Sequence, residues 1–482
     1  MSSLDTSASV SRRRISPTTR GAAPSRRAAP EIVDENVRGM PVLVAIFLVS
    51  LPVPVMFNLG PVLMMPYRLV LLVAFVPLAL RFFVDPRFKL HVFDWLVVGW
   101  VGWSILALLV NHGTTQIAFA GSRAVEVLGA WMLARVGIRS AEDMQRMVRI
   151  LFLIVLFLLP LAAIESFTGR RPLAVLPGVR TLLDTGGRWG LNRANVAFTH
   201  PILYGIFVAS VTSLVWFLYG SMTTYVVRIF RSLIIFAATF FSLSAGAIVA
   251  FMVQAVMIAW DVVFQKSSRR WLVFGWLIVG FYVTVDMLSN RTPFHLVVDY
   301  LTFNQGAAYY RILIYRFGIE SVWANPIFGI GLHDWARAYW MGDTVDNFWL
   351  LNAMQYGIPG FLCLAGGSLM IVRSVIRSPL TDAAERNCRL GWVIAMCGVM
   401  MAAGTVHYWT TMLSYVVFLM GSGGWMACPP AQSPAPRSRS GAPAASDRRA
   451  KAGTDMPPTS RPERPTRSVR SASVSSRRRS GA

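Results

Sequence analysis

Residues 146–165 read RMVRILFLIVLFLLPLAAIE. From Ile150 to Ile164 no side chain is charged or can form a hydrogen bond, so a helix built from this stretch has no polar face to turn to water. Its length of about 20 residues matches the hydrocarbon thickness of a bilayer. Working outward, comparable apolar runs fall at about 40–57, 66–83, 92–110, 118–137, 198–219, 229–244, 246–264, 271–288, 357–376, 390–405 and 409–427. With the first run they predict an all-α integral membrane protein of about 12 transmembrane helices. The stretch 229–264 supplies two spans only if Ser242-Leu243-Ser244-Ala245-Gly246 makes the turn between them. The 118–137 run is the most polar, because Arg123 and Glu126 lie inside it. Three apart on one helix face, they are expected to form an intrahelical ion pair facing the bundle, unless they serve a function there.

The composition agrees. Of 482 residues 55% are hydrophobic and 14% charged, and the mean hydropathy is +0.51. Soluble domains carry about 25% charged residues, which excludes an ordinary soluble enzyme. The net charge of +23 is unevenly spread: residues 1–39 contribute +3, residues 429–482 contribute +9, and the stretch between them holds +11. Both tails are rich in Ser, Pro, Ala and Arg and poor in large apolar residues, so they are expected to be disordered. The organisation is then a basic cytoplasmic tail at 1–39, a polytopic membrane domain at 40–427 and a second basic cytoplasmic tail at 428–482. Beside a membrane such tails rest on anionic headgroups more readily than on nucleic acid, and no nucleic-acid partner is expected. About 39 polar residues precede the first apolar run, so no cleavable signal is expected. Cys363, Cys388, Cys397 and Cys428 have neither metal-ligand spacing nor the pattern of a disulfide framework.

The loops set the orientation. With the N-terminus inside, the cytoplasmic loops carry Arg81, Arg87 and Lys89; Arg135, Arg139, Arg146 and Arg149; Arg228 and Arg231; Lys266, Arg269 and Arg270; and Arg373, Arg377, Arg386 and Arg389. The outer loops near 58–65, 111–117, 242–245 and 405–408 carry no Lys or Arg. This is the positive-inside distribution. Two longer outer segments depart from it. Residues 166–197 contain Arg170, Arg171, Arg180, Arg188 and Arg193, against Asp184 and the helix-terminal Glu165. Residues 289–345, before the tenth helix, contain Arg291, Arg311, Arg316 and Arg337, with Asp299, Glu320, Asp334 and Asp343 available for surface pairs. An arginine excess beyond the membrane suits an anionic ligand, which the planar guanidinium fork can grip in two places. His112, His200, His295, His333 and His407 also map to the outer half and His91 to the inner, with no metal-binding pattern among them.

Three constellations stand out. The first runs from Gly187 to Gly205 and includes Arg188, Arg193, Asn195, Thr199, His200 and Pro201. Pro201 suits a helix start and Thr199 its cap, so Arg193 and His200 would stand where a helix N-terminus already favours anions. The plain alternative is that Arg193 anchors at headgroups and His200 caps. The second, Tyr309 to Glu320 followed by Asn325-Pro326-Ile327-Phe328-Gly329-Ile330-Gly331-Leu332-His333, predicts an amphipathic surface helix. Its apolar positions are 312, 313, 317 and 319, with Arg311 and Arg316 beside them, and a tight turn ends it. The third is Asp343 to Asn352 and then Gln355-Tyr356-Gly357-Ile358-Pro359-Gly360. Asp346 there is either an ordinary N-cap or a functional carboxylate.

The order R-x-N-V-A-F-T-H-P-I-L-Y-G, S-L-S-A-G, R-I-L-I-Y-R-F-G…N-P-I-F-G-I-G, D-N-F-W-L…Y-G-I-P-G resembles the O-antigen ligase / Wzy-type polysaccharide polymerase superfamily, over roughly residues 40–427. The resemblance implies a GT-C-like glycosyltransferase of the bacterial inner membrane that uses an undecaprenyl-diphosphate-linked glycan and needs no metal or other cofactor. It implies that Arg193 and Arg311 hold the donor diphosphate. Asp346 falls where ligases acting on lipid A–core carry a catalytic His, and the Asp346-Asn347 pair looks more like the polymerases. The expected activity is polymerisation of repeat units into exopolysaccharide or O-antigen at the periplasmic face, with ligation to lipid A–core or another acceptor as the alternative. The partners are the lipid-linked glycan, the bilayer, and other polysaccharide assembly and chain-length proteins.

The residues themselves allow the same chemistry. Arginines can stabilise a departing diphosphate in a water-poor site, and Asp346 or His200 can act as the base for an acceptor hydroxyl. Arg188 and Arg316 are further diphosphate ligands, with His333 and Asn347 in second rank. Outside this class, a transporter of lipid-linked oligosaccharide would show internal repeats and mid-membrane ionisable residues, and a capsule-export scaffold would depend on the tails.

Overall fold

The computed structural model describes residues 40–60, 62–86, 88–176, 186–219, 223–288 and 305–427. The two basic tails, Arg87, Arg180, Asp184, Arg291, His295, Asp299 and Cys428 lie outside the described residues.

Each of the twelve apolar runs contains helix, although the first is helical only over Pro41–Ser50. In chain order the helices are α1 (Pro41–Ser50), α2 (Pro66–Ala79), α3 (Val92–His112), α4 (Ile117–Gly137), α5 (Ala141–Thr168), α6 (Pro201–Ala209), α7 (Thr212–Leu218), α8 (Tyr225–Phe240), α9 (Ala245–Val263), α10 (Arg270–Leu288), α11 (Gln305–Ala324), α12 (Phe348–Arg377), α13 (Ala383–Ala402) and α14 (Thr410–Gly421). Proline opens α1, α2 and α6, where its missing N–H costs no hydrogen bond. Ser140 caps α5 by accepting the N–H of Asp143, and Gly169 at φ +69° ends it.

Among the described residues seven helical runs are long and apolar enough to cross a membrane. One of these, Val92–Gly137, has 46 residues and contains α3 and α4, which pack on each other across Gly113 at φ +60°. The runs at α1, α8, α13 and α14 are shorter or carry charge in their first turn. The chain is a mostly helical, multi-pass membrane protein. Two short hairpins, 57–64 and 187–192, are the sheets among the described residues.

The interior explains which runs sit where. The α6–α7 run is 94% buried and is surrounded by α8, α9 and α13, with Phe207 also packed on Tyr415 of α14. Its apolar side chains therefore serve contact with protein, and Ser210, Thr212 and Ser213 within it are buried with hydrogen bonds of their own. By contrast α10, equally apolar, buries no residue. A helix apolar on every face that touches so little protein presents its side chains to lipid.

Buried charges tie α2, α3 and α4 together. Asp94 takes two hydrogen bonds from Arg135 at 2.8 and 3.0 Å and a third from Trp131. Glu126 accepts from Arg68 at 2.6 Å and from Tyr67. The expected Arg123–Glu126 pair is therefore absent: Glu126 turns to α2, because Arg68 and Tyr67 together satisfy it better than one same-helix neighbour can. The chain does turn between α8 and α9, at 241–244 rather than at Ser242–Gly246, since Ala245 and Gly246 already belong to α9.

Two further expectations change. Helix α12 starts at Phe348, nine residues before the apolar run predicted it, because Asn347 accepts the N–H of Leu350 and caps it. The break at the predicted boundary is instead a kink at Gly357, with φ +70°. This kink releases carbonyls to the turn at 325–331. Met354 O accepts from Ile330 N at 2.8 Å, Gln355 O from Gly331 N at 3.0 Å, and Pro326 O from Ile358 N at 2.8 Å. A Cβ at Gly357 would overlap the carbonyl of Ile327. Gly357→Ala is thus expected to cost at least the roughly 1–3 kcal/mol of a forced left-handed residue and to lower the thermal midpoint of the purified protein. An unchanged midpoint would show that the interlock does not matter.

Helix α11 buries one side but exposes Tyr309, Tyr315 and Trp323, so it lacks the clean apolar and polar faces expected, and its inward face differs from the expected one. Positions 314, 318 and 322 meet α12, with Gly318 close against Leu350 and Met354. Residues 312, 313, 317 and 319 are partly buried at most. The small Gly318 sets this rotation, and it places Arg311 one turn before Ile314 on the same face.

Candidate active site

The loop before α6 is held from several sides. Ala194 N–H donates to Phe241 O at 2.9 Å, Val196 N–H to Glu165 Oε2 at 2.8 Å, and Phe198 N–H to Asn195 O at 2.8 Å. Val196 has φ +50°, rare for a β-branched residue, so the buried Glu165, itself paired with Arg171 at 3.3 Å, fixes a strained conformation. This loop carries Arg193 and leads to His200. The cap of α6 is His200 rather than Thr199: its Nδ1 accepts from Ile202 N–H at 3.2 Å. Thr199 Oγ1 instead accepts from Trp409 Nε1 at 3.0 Å. The residue after Thr199 lines up with the first free N–H groups because Pro201 occupies the first helical position.

Just before this loop, Trp189 (φ +54°) and Gly190 (φ +78°) form the two-residue turn of the 187–192 hairpin. Arg188 reaches from it to the carbonyl of Leu243 at 3.0 Å. Opposite, a small cavity is lined by Arg311, Ile314 and Tyr315 of α11, Asp346, Asn347 and Leu350 at the start of α12, and Gly404 and Thr405. Since Asn347 provides the cap, the Asp346 carboxylate is not spent on the helix. The connection 403–409 closes the site, with Phe348 N–H shared between the carbonyls of Ala403 and Val406 at 2.8 and 3.1 Å.

The electrostatics bind these pieces into one cluster. The positive field of Arg188 reaches Arg193, His200 and Arg311 and lowers the pKa of all three. Burial is the larger cause in each case. Arg193 falls to about 10 and stays charged at neutral pH. His200, further depressed by Arg193, falls to about 4 and is a neutral imidazole there. With Nδ1 accepting, its proton resides on Nε2. Asp346 is open to solvent on one side, but its crowded remainder raises its carboxyl pKa, while Arg311 pulls the other way. The Nε of Arg193 is buried and has no hydrogen-bond partner among the described residues. Cations that depress one another in a half-dry pocket are relieved by a bound anion.

The structure thus brings together Arg188, Arg193, His200, Arg311, Asp346 and Asn347. It places two others apart. Arg316 is exposed and faces Glu320 one turn on at 3.7 Å. His333 stacks on His112 at 4.2 Å, against the end of α3. Arg316→Ala is accordingly expected to leave the cluster undisturbed and to change stability by no more than about 0.5 kcal/mol, as thermal unfolding of the purified variant would report. Sequence reasoning passed over the 404–409 connection, which looked like an ordinary uncharged loop; its dense polar and aromatic content was the available signal. Among the described residues no group of three His, Cys, Asp or Glu side chains could hold a metal ion.

Residues 230–365 match a family model described as O-antigen ligase. This bears out the resemblance carried by the motifs over that segment, which contains α9, α10, α11 and the first half of α12, and hence Arg311 and Asp346. The Arg188–His200 loop lies outside the match. No curated protein matches the chain.

Proposed function

We propose that this protein polymerises undecaprenyl-diphosphate-linked oligosaccharide repeat units into exopolysaccharide or O-antigen. In this reading the chain makes twelve crossings of the bacterial inner membrane with both termini in the cytoplasm, and the arginine cluster faces the periplasm. The observation that carries the reading is the cavity lined by Arg311 and Asp346, with Arg188 near enough for its charge to bear on both Arg311 and Arg193.

The chemistry follows from that arrangement. Arg193 and Arg311 grip the donor diphosphate, with Arg188 beside them. The acceptor hydroxyl oxygen attacks the anomeric carbon as Asp346 takes its proton. The bond from that carbon to the diphosphate oxygen breaks, and the diphosphate leaves with the bonding electrons, inverting the centre. Preorganised guanidinium groups stabilise the charge that develops on the leaving oxygens. A carboxylate of raised pKa is a stronger base than a solvated one, and so suits proton removal. Neutral His200, capped through Nδ1, offers an N–H to a substrate oxygen and leaves the base role to Asp346.

The description of the matching family, O-antigen ligase, favours a second reading, transfer of finished glycan to lipid A–core or another acceptor. The carboxylate at Asp346 favours polymerisation. The surface glycan of a deletion strain separates them: single-repeat chains support a polymerase, whereas long chains left on the carrier would overturn it in favour of a ligase.

A further inference from the structure

An apolar groove of about 700 Å³ lies between α9, α10 and α13. Helix α9 turns one stripe to it, including Val249, Met252 and Val256 at the three- and four-residue steps of a single helix face. No lining side chain is charged, and none carries a hydroxyl or an amide. From Ala245 to Met257 the groove follows α9 for about 18 Å. Its floor is tight, because α9 and α13 meet at Gly398, where a Cβ would stand 2.8 Å from the carbonyl of Ala250.

The third wall is incomplete. Helix α10 is fastened at its first turn, where Arg270 pairs with Asp261 at 2.9 Å and Trp260 Nε1 donates to Arg270 O at 3.0 Å. From there it lends Phe274 and Ile278 to the groove, and beyond Ile278 it lines none of it. Met252, Ile278 and Met401 are each about half exposed, so the groove opens sideways at membrane depth.

Its outer end adjoins the arginine cluster. Met401 lines the groove and its carbonyl accepts from Gly404 N–H at 3.1 Å, while Gly404 and Thr405 line the cavity of Arg311 and Asp346. On the other side, Arg188 bonds the carbonyl of Leu243, two residues before Ala245 at the head of the groove. A Cβ at Gly246 would stand 3.6 Å from Thr405 Oγ1. Groove and cavity thus share the chain at 243–246 and 401–405.

A lipid whose diphosphate sits in that cavity has to lead its chain back into the bilayer, and the groove starts where the chain would leave. Lipid tails are as apolar as the groove, so entering it yields no hydrophobic gain. What the groove can add is fit. Four methionines line it, and their flexible, polarisable side chains adapt to a kinked, methyl-branched chain.

We propose that this groove seats the isoprenoid chain of the lipid carrier, which enters past the open edge of α10 and runs from the arginine cluster toward Val256 and Phe274. The inference deepens the function proposed above and rests on it.

The test uses full-length protein in phosphatidylcholine nanodiscs with geranylgeranyl diphosphate that carries a diazirine at its far end. Phosphatidylcholine with a diazirine at an acyl end is run in parallel. The prenyl probe is expected to label Val256, Met257 and Phe274, and the same probe built on the shorter geranyl diphosphate to label Val249 and Met252 instead. Val249→Trp fills the groove near the cluster and should cut labelling by both probes about tenfold, the scale of overpacking an occupied site. Leu277→Trp, on α10 but outside the groove, should change neither. Prenyl label spread over the lipid-facing helices like the acyl probe would overturn the proposal in favour of ordinary bilayer lipid. Groove labelling untouched by Val249→Trp would also overturn it. Val256→Trp, farther from the arginines, should lower labelling by the longer probe only, and equal loss of the shorter would contradict the direction given to the chain. Inorganic diphosphate, which has no chain, separates groove from clamp: its binding should survive Val256→Trp and be lost in Arg193→Met/Arg311→Met. Diphosphate bound equally well by that double variant would refute the arginine clamp, while the labelling would still decide the groove.

Discussion

Replacing Arg311 by lysine is expected to reduce the rate of glycan transfer by about 10²–10³-fold, the loss typical of removing one preorganised donor to a developing oxyanion. Charge is conserved in this variant, so the effect isolates geometry. Arg311 projects from the buried face of α11 into the cavity that Asp346 shares, and Gly318 fixes how closely that helix approaches α12. A lysine ammonium is a point charge and cannot present two parallel N–H groups to adjacent phosphate oxygens. The fall should appear mainly in kcat, because the interaction strengthens as charge builds on the leaving group. Initial rates with purified protein and a carrier-linked repeat unit would measure it. A loss of less than about threefold would mean that Arg311 supplies only the general field that any cation can give. Combining Arg311→Lys with Arg193→Lys should cost less than the product of the single effects if both touch one diphosphate.

Asp346→Asn is expected to cost about 10²–10⁴-fold, the range for removing a general base. The shape is preserved, and the helix is not disturbed, because Asn347 rather than Asp346 caps α12. The pH dependence gives an independent sign. Burial raises the Asp346 carboxyl above its usual value and Arg311 opposes that rise. The base is active when deprotonated, so the wild-type rate should fall as pH drops through the raised value. That acid limb should lie above about 3.9, where an unperturbed aspartate titrates. Arg311→Gln removes the opposing attraction and should move the limb to higher pH, on top of its lower rate. A limb that moves to lower pH, or one unchanged in Asp346→Asn, would remove Asp346 from the proton transfer.

The helices could be read from the sequence because lipid imposes a simple rule, that a span must be long and apolar: each of the twelve apolar runs contains helix, and among the described residues seven helical runs are long and apolar enough to cross. Their packing could not. The α6–α7 run and α10 look alike in composition, yet one is enclosed and the other stands at the edge. Apolarity does not distinguish a protein neighbour from a lipid one. Ends and pairings failed for a related reason, since each depends on a competition between neighbours. His200 caps in place of Thr199, Asn347 in place of Asp346, and Glu126 chooses Arg68 over Arg123. The arginines of the site were recognisable because they break the charge rule of outer segments. The 404–409 connection obeys that rule and so escaped notice, although Gly404 and Thr405 line the cavity. Arg123 was noticed as a helix pair, and only the structure shows its expected partner committed to another helix.

The most direct test of the account is the glycan ladder made by purified protein from a carrier-linked repeat unit, comparing wild type with Arg193→Gln/Arg311→Gln at equal folded amounts. The wild type is predicted to build a ladder of increasing length and the double variant to leave the repeat unit unextended. A ladder of normal length and rate from the double variant would contradict the claim that these arginines hold the diphosphate during transfer.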